Sequence, residues 1–263
     1  MRKSVLITGS SLGIGAACAL AFAREGYDVG VNYCNSAEPA ARVAEECRAA
    51  GADAQVYQAD VSRREQCEAM LAAFIAHFGK IDVLVNNAGG ALTMPKGGFV
   101  DMPMDYWDAQ IDLNLNSAAY CARAAAKDMV EKGTRGAIIN ISSIHGEITW
   151  VRRKALPYSA GKAGLNMFTK SIGVELIKYG INVNCIAPGL IYTHIMSRYS
   201  DQNVEGFNRK IPAGYGGVPD DITPMVLFLA DKAKSRFIVG QTICIDGGQS
   251  IDGAIDNMLD EPF

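Results

Sequence analysis

Short apolar runs alternate along the chain with longer amphipathic stretches, and glycine marks most of the boundaries. Residues 4–7, 29–33, 54–58, 81–85, 137–141, 182–187 and 241–245 are β-rich and too short for helices, so each predicts a strand. Residues 14–24, 38–50, 63–78, 105–132, 158–178 and 220–230 carry helical periodicity. Gly26, Gly51, Gly79, Gly133 and Gly180 stand just past five of these, as helix stops do. Strand and helix in strict alternation predict right-handed βαβ crossovers and a doubly wound α/β sheet, parallel and covered on both faces. No repeat, linker or shift in composition divides the chain, so residues 1–263 read as one domain. Residues 190–217 are the least regular part and read as a binding loop.

Composition narrows the function classes. Of 263 residues 49% are hydrophobic and 20% charged, enough for a large core and against extended disorder. The net charge of -3 gives no pull toward nucleic acid or an anionic membrane surface. No run approaches the ~18 apolar residues of a membrane span, and the start lacks a signal-peptide pattern, so the cytoplasm is expected. The seven cysteines are scattered and form no C-x-x-C, and the three histidines lack ligand spacing; reduced thiols and no metal are expected.

Between the first strand and first helix stands Thr8-Gly9-Ser10-Ser11-Leu12-Gly13-Ile14-Gly15. Gly9 permits a tight turn, Gly13 a close backbone approach to a pyrophosphate, and Gly15 close packing of helix on strand. Free N–H groups and the helix dipole then face the phosphates. Further motifs follow in order: Asp60-Val61, Asn86-Asn87-Ala88-Gly89, Asn114, Ser142-Ser143, Tyr158-Ser-Ala-Gly-Lys162, Pro188-Gly189 with Thr193, and Asp246-Gly247-Gly248. Together they resemble the short-chain dehydrogenase/reductase family over nearly the whole chain. The glycine spacing is that family's T-G-x-x-x-G-x-G. The resemblance implies a Rossmann-type fold and an NAD(P)-dependent enzyme acting on CH-OH donors. It implies cofactor contacts at Gly9, Ser11, Gly13, Ile14, Gly15, Tyr33, Asn35, Asp60, Val61, Asn87, Ala88, Gly89, Tyr158, Lys162, Pro188, Gly189, Ile191 and Thr193.

The chemistry needs a proton donor or acceptor beside the carbon that exchanges hydride. A free tyrosine, with pKa of about 10, is a poor base at neutral pH. Tyr158 and Lys162 are spaced i, i+4 on one helix face, so the ammonium is expected to lower the tyrosine pKa. The resemblance gives Ser143, rather than Ser142, the substrate oxygen, Lys162 the nicotinamide ribose, and Asn114 a water that links Lys162 to solvent. The stretch between Ser143 and Tyr158 is about two residues longer than the commonest family spacing, so an unusual pocket shape is expected.

The end of strand two, where a carboxylate would hold the ribose 2′-hydroxyl, reads Tyr33-Cys34-Asn35-Ser36. Leu12 and Asn35 stand where NADP-using relatives carry basic residues. With no carboxylate to repel a 2′-phosphate, NADP is favoured and NAD is left open. Ser142 to His145 with Trp150, and residues 211–217 with 219–222, look like bacterial glucose 1-dehydrogenases of the family. That favours a sugar, sugar acid or polyol, with His145 and Trp150 in the pocket. A 3-oxoacyl thioester or general carbonyl reductase, such as the 3-oxoacyl-carrier-protein reductases of the family, is the alternative; a dinucleotide-binding regulator without catalysis is a remote one. Arg152-Arg153-Lys154 reads as a solvated basic turn or as arginines holding an anionic sugar. Family relatives imply a homotetramer, and the small residues from Ala118 to Ala126 permit close helix approach.

Overall fold

The computed structural model describes residues 2–92, 98–148, 156–194 and 200–251. Among them seven strands form one parallel sheet: β1 (Ser4–Ile7), β2 (Asp28–Tyr33), β3 (Ala54–Gln58), β4 (Val83–Asn86), β5 (Ala137–Ile141), β6 (Asn182–Pro188) and β7 (Thr242–Ile245). Their order is β3-β2-β1-β4-β5-β6-β7, the doubly wound Rossmann-type arrangement. The chain winds outward from β1 in one direction, then returns to β4 and winds in the other. Beyond the carboxyl ends of β1 and β4 this reversal opens a crevice, the place where such sheets bind ligands.

Strands covered on both faces must be apolar throughout rather than alternating. β1, β4, β5 and β6 are buried at every position, whereas the edge strands β3 and β7 are partly exposed. One face is covered by α1 (Gly13–Arg24), α2 (Ala37–Ala49) and α8 (Pro219–Ala230), with Phe22, Val43 and Leu229 in a common cluster. The other is covered by α3 (Arg64–Phe78) and α5 (Ser117–Glu131), whose Phe74, Leu71 and Met129 form a second cluster; α6 (Leu156–Leu176) adds Phe168 and Ile172 at its border. Phe22 and Phe74 are fully buried, and each such side chain contributes roughly 1.5–3 kcal/mol.

Two expectations need correction. The periodicity over 105–132 predicts one helix, but the chain forms α4 (Met104–Ile111), a π turn (Asp112–Asn116) and then α5. Polar side chains serve the backbone here: Ser117 Oγ donates to the Leu113 carbonyl at 2.6 Å and Asn114 Nδ2 to the Gln110 carbonyl at 3.0 Å. Hydrophobic periodicity does not register a one-residue shift of this kind. Residues 190–217 are not irregular throughout, because α7 (Asp201–Asn208) forms within them. Its start is capped by Ser200, whose hydroxyl accepts from the Asn203 N–H. A short α9 (Lys232–Ser235) follows α8.

Candidate active site

The crevice begins at the turn from β1 to α1. Gly9 and Gly13 have φ of 61° and 58°, in the left-handed region that favours glycine. A Cβ at Gly9 would lie 2.9 Å from the Ala88 Cα, and one at Gly13 would lie 3.2 Å from Thr193 Cγ2. The turn therefore sits between the loop after β4 and the loop after β6, which brings Gly9, Gly13, Ala88 and Thr193 together. Helix α1 starts at Leu12 without a side-chain cap and without an acidic residue in its first turn. A bare helix start beside a glycine cradle fits a pyrophosphate.

Two residues to which sequence reasoning gave no role, Thr8 of the quoted motif and Asn32, shape this turn. Thr8 Oγ1 accepts from the N–H groups of Asn87 and Ala88, both at 3.0 Å, and ties β1 to the loop after β4. Asn32, fully buried in β2, accepts from the Gly9 N–H at 2.9 Å and donates to the Tyr57 and Ala59 carbonyls, both at 3.2 Å. The available signal was an asparagine inside an otherwise apolar strand, a residue type that must find partners when buried. Asn87 points the same way, since its Nδ2 donates to the Thr8 and Gly9 carbonyls at 2.9 and 3.0 Å.

At the ribose end, Tyr33 closes β2 and Asn35 lies exposed beyond it. Asp60 accepts from the Ser62 N–H at 3.0 Å and hydroxyl at 2.7 Å, shaping the turn after β3, while Val61 is buried below. Gly189, after β6, packs on Asp246, and Ile191 bridges to Gly217 beside it.

The polar end of the crevice is carried by β5 and α6. Ser143 hydrogen-bonds to Tyr158, and Lys162 Nζ lies 5.8 Å from the centroid of the Tyr158 ring. Ser142 faces elsewhere: its hydroxyl donates to the Lys162 carbonyl at 3.1 Å. Lys162 is 3% exposed and donates to the Ile141 carbonyl at 2.9 Å. The place where a Gly89 Cβ would stand is 2.9 Å from Lys162 Nζ and 3.0 Å from Asn114 Oδ1, so these two polar groups converge over a residue with no side chain. Asn114 accepts from the Gly90 N–H at 2.9 Å and donates to the Gly90 carbonyl at 3.1 Å, so its amide holds the loop after β4. The His145 ring stands edge-on to Tyr158, with centroids 5.8 Å apart.

Burial governs the titration of this cluster. It raises the Tyr158 pKa above its ordinary 10, an effect that the Ser143 hydrogen bond only partly offsets. It lowers Lys162 from 10.5 to about 8, with Cys185 pulling the other way. The expected depression of the tyrosine by the lysine is thus overturned in the protein alone. Spacing on the helix placed the two groups on one face, but burial, and not the lysine, sets the direction of the tyrosine's shift. The phenol is a proton donor at neutral pH, and the lysine is poised to exchange a proton near pH 8.

Of the sequence-predicted residues, Asn114, Ser143, His145, Tyr158 and Lys162 come together at one end of the crevice. The glycine turn, Ala88 and Thr193 come together at the other. Trp150, Arg152 and Arg153 lie outside the described residues. Among the described residues no group of three or more His, Cys, Asp or Glu side chains is placed to hold a metal, and no helix is long and apolar enough to cross a membrane.

Residues 9–250 match the family described as enoyl-(acyl carrier protein) reductase. The chain is 41% identical over 248 residues to the 3-oxoacyl-[acyl-carrier-protein] reductase FabG of Staphylococcus aureus, covering 94% of this chain and 98% of that protein. It superposes on the crystal structure of acetoin dehydrogenase from Enterobacter cloacae with a TM-score of 0.87 at 35% identity, covering 97% and 98% of the two chains. It also superposes on an actinorhodin polyketide ketoreductase crystallised with NADPH, with a TM-score of 0.86 at 30% identity over 95% and 97% of the two chains.

Proposed function

Because the chain belongs to the short-chain dehydrogenase/reductase family and is an oxidoreductase of alcohol and carbonyl groups, we propose that Tyr158 is its acid and base. The observation that carries this reading is the half-buried Tyr158 set between the buried Ser143 and Lys162 beside the glycine cradle. The chemistry that a nicotinamide cofactor would supply there, when bound, is hydride donation or acceptance. In reduction the Tyr158 hydroxyl gives its proton to the substrate oxygen, and in oxidation the phenolate takes it back. Ser143 holds that oxygen while its charge changes. Lys162 holds the nicotinamide ribose and resupplies the proton, its depressed pKa suiting both tasks. Asn114 keeps the loop after β4 in place and positions the water that links Lys162 to solvent. Gly9, Ser11, Gly13, Ile14, Gly15, Tyr33, Asn35, Asp60, Val61, Asn87, Ala88, Gly89, Pro188, Gly189, Ile191 and Thr193 would line the dinucleotide. The lack of a carboxylate at 33–36 favours NADP, in keeping with the NADPH bound to the ketoreductase.

The substrate we favour is a sugar, sugar acid or polyol. His145 adds a hydrogen-bonding ring beside Tyr158, which suits a substrate with several hydroxyls. Arg152 and Arg153 are the proposed contacts for an anionic sugar, and Trp150 a stacking surface. A second reading, reduction of a 3-oxoacyl thioester, is favoured by the 41% identity to FabG. The working form is a cytoplasmic homotetramer. Met167 and Val174, seven residues apart on α6, are 60% and 75% exposed and suit a subunit contact.

Initial rates with neutral aldoses, polyols, anionic sugars and an acetoacetyl thioester, each with both cofactors, test this function. Oxidation of one sugar class supports the carbohydrate reading; reduction of the thioester alone replaces it with the second. Loss of discrimination between anionic and neutral sugars in Arg152→Ala and Arg153→Ala is the expected result for an anionic substrate.

A further inference from the structure

Tyr158, Lys162 and Asn166 are spaced four apart on α6 and lie along one face. Asn166 is 6% exposed, and a buried amide needs partners. Its Nδ2 donates to Glu147 Oε1 at 2.7 Å, and its Oδ1 accepts from the Cys185 thiol at 3.6 Å. Burial pushes the Cys185 thiol up to about 11, so it keeps the proton it donates.

Glu147 itself is exposed. It ends the short turn that Ser143 begins: the His145 N–H donates to Ser143 Oγ at 3.2 Å, and the Gly146 N–H to the Ser143 carbonyl at 2.9 Å. The turn lies directly on α6. A Cβ at Gly146 would be 2.8 Å from Asn166 Nδ2 and 2.9 Å from the Lys162 carbonyl carbon and oxygen. One end of the turn thus carries Ser143, and the other is fastened by a charge-assisted hydrogen bond one helical turn beyond Lys162.

We propose that Asn166 and Glu147 form a positioning clamp that presses the Ser143 turn onto α6 and so sets the hydrogen bond between Ser143 and Tyr158. The clamp rests on the catalytic reading of Ser143 and Tyr158 given above. Neither residue touches the reacting atoms. Both act through Ser143, whose hydrogen bond draws the Tyr158 pKa down against burial. The titratable groups facing the clamp are Lys162 on α6, Cys185 on β6, Cys244 on β7 and His145 in the turn itself.

The test uses Asn166→Ala, Glu147→Ala and Glu147→Gln, with Tyr158→Phe as reference. In the cofactor-free protein, amide hydrogen exchange is followed over 143–148, and Tyr158 titration is read from tyrosinate absorbance against Tyr158→Phe. Asn166→Ala and Glu147→Ala are expected to speed exchange in that turn, move the Tyr158 titration to higher pH, and lower kcat roughly tenfold or more with the cofactor KM unchanged. Glu147→Gln keeps an acceptor for Asn166 and is expected to restore most of the protection and rate. Because Glu147 is exposed, Glu147→Ala remains informative even if Asn166→Ala does not fold. Unchanged exchange and titration in Glu147→Ala, with activity lost in Tyr158→Phe, would overturn the clamp alone. Retained activity in Tyr158→Phe would overturn the catalytic reading beneath it.

Discussion

The two ends of the crevice recognise by different means. At the dinucleotide end, glycines at Gly9 and Gly13 and an uncapped helix start offer backbone and shape, with Thr8 and Asn32 bracing them from behind. At the proposed substrate end, the buried Ser143 and Lys162 flank a half-buried Tyr158, and side chains take over from backbone. One end is specified by what is missing from the chain, the other by what burial does to groups that are present. Damage at the first should weaken binding, and damage at the second should stop turnover.

The sharpest way to break that contrast is Tyr158→Phe. It removes the group proposed to pass the proton, and a loss of about 10²–10⁴ in kcat is expected with little change in cofactor affinity. A loss that fell mainly on cofactor binding would erase the distinction. Lys162→Met is expected to lower activity and yet stabilise the fold. Below pH 8 the lysine is charged in folded and unfolded chains alike, and the folded chain bears the full cost of burying it. Between about 8 and 10.5 the folded lysine gives up its proton first, so that cost fades as pH rises. Denaturant unfolding should therefore show the advantage of Lys162→Met over the wild type shrinking by about 3 kcal/mol between pH 7 and pH 10.5.

At the other end, Gly13→Ala puts a side chain into left-handed backbone and toward Thr193. A cost of about 1–2 kcal/mol is expected, read as weaker cofactor binding in a fluorescence titration with kcat at saturation nearly kept. Asn35→Asp is the mildest probe. A carboxylate beside the ribose should shift the ratio of NADPH to NADH use toward NADH by about tenfold, or 1.4 kcal/mol. An unchanged ratio would move the 2′-group away from residues 33–36.

The same contrast explains how far the sequence could be read. The parallel, doubly wound sheet and the glycine turn were legible because glycine spacing and uninterrupted apolar runs leave a direct imprint, whereas the strand order came from the structure. Tyr158 and Lys162 were legible as neighbours, since i, i+4 spacing guarantees a shared face. Their proton affinities were not, because desolvation depends on packing from β5 and β6, far away in sequence. Asn32 and Asn166 were missed for a related reason: a polar residue in an apolar stretch signals that it needs partners, but which ones, Gly9 in one case and Glu147 in the other, is seen only across the fold. The break at Asp112–Asn116 escaped because both flanking helices keep their own periodicity.

That π turn also constrains how the chain can change. One residue in an α-helix advances the side chains by about 100°, and the wider turn absorbs such an offset between α4 and α5. On one side Gln110 and Asn114 must face Gly161 of α6, and on the other Ala122 and Met129 must face the core. Loss of a single codon here would restore an unbroken helix and force one of those faces out of phase. The length of this stretch is therefore held as tightly as the identity of Asn114 within it, and the turn acts as a frame-keeper for the helices on either side of the site.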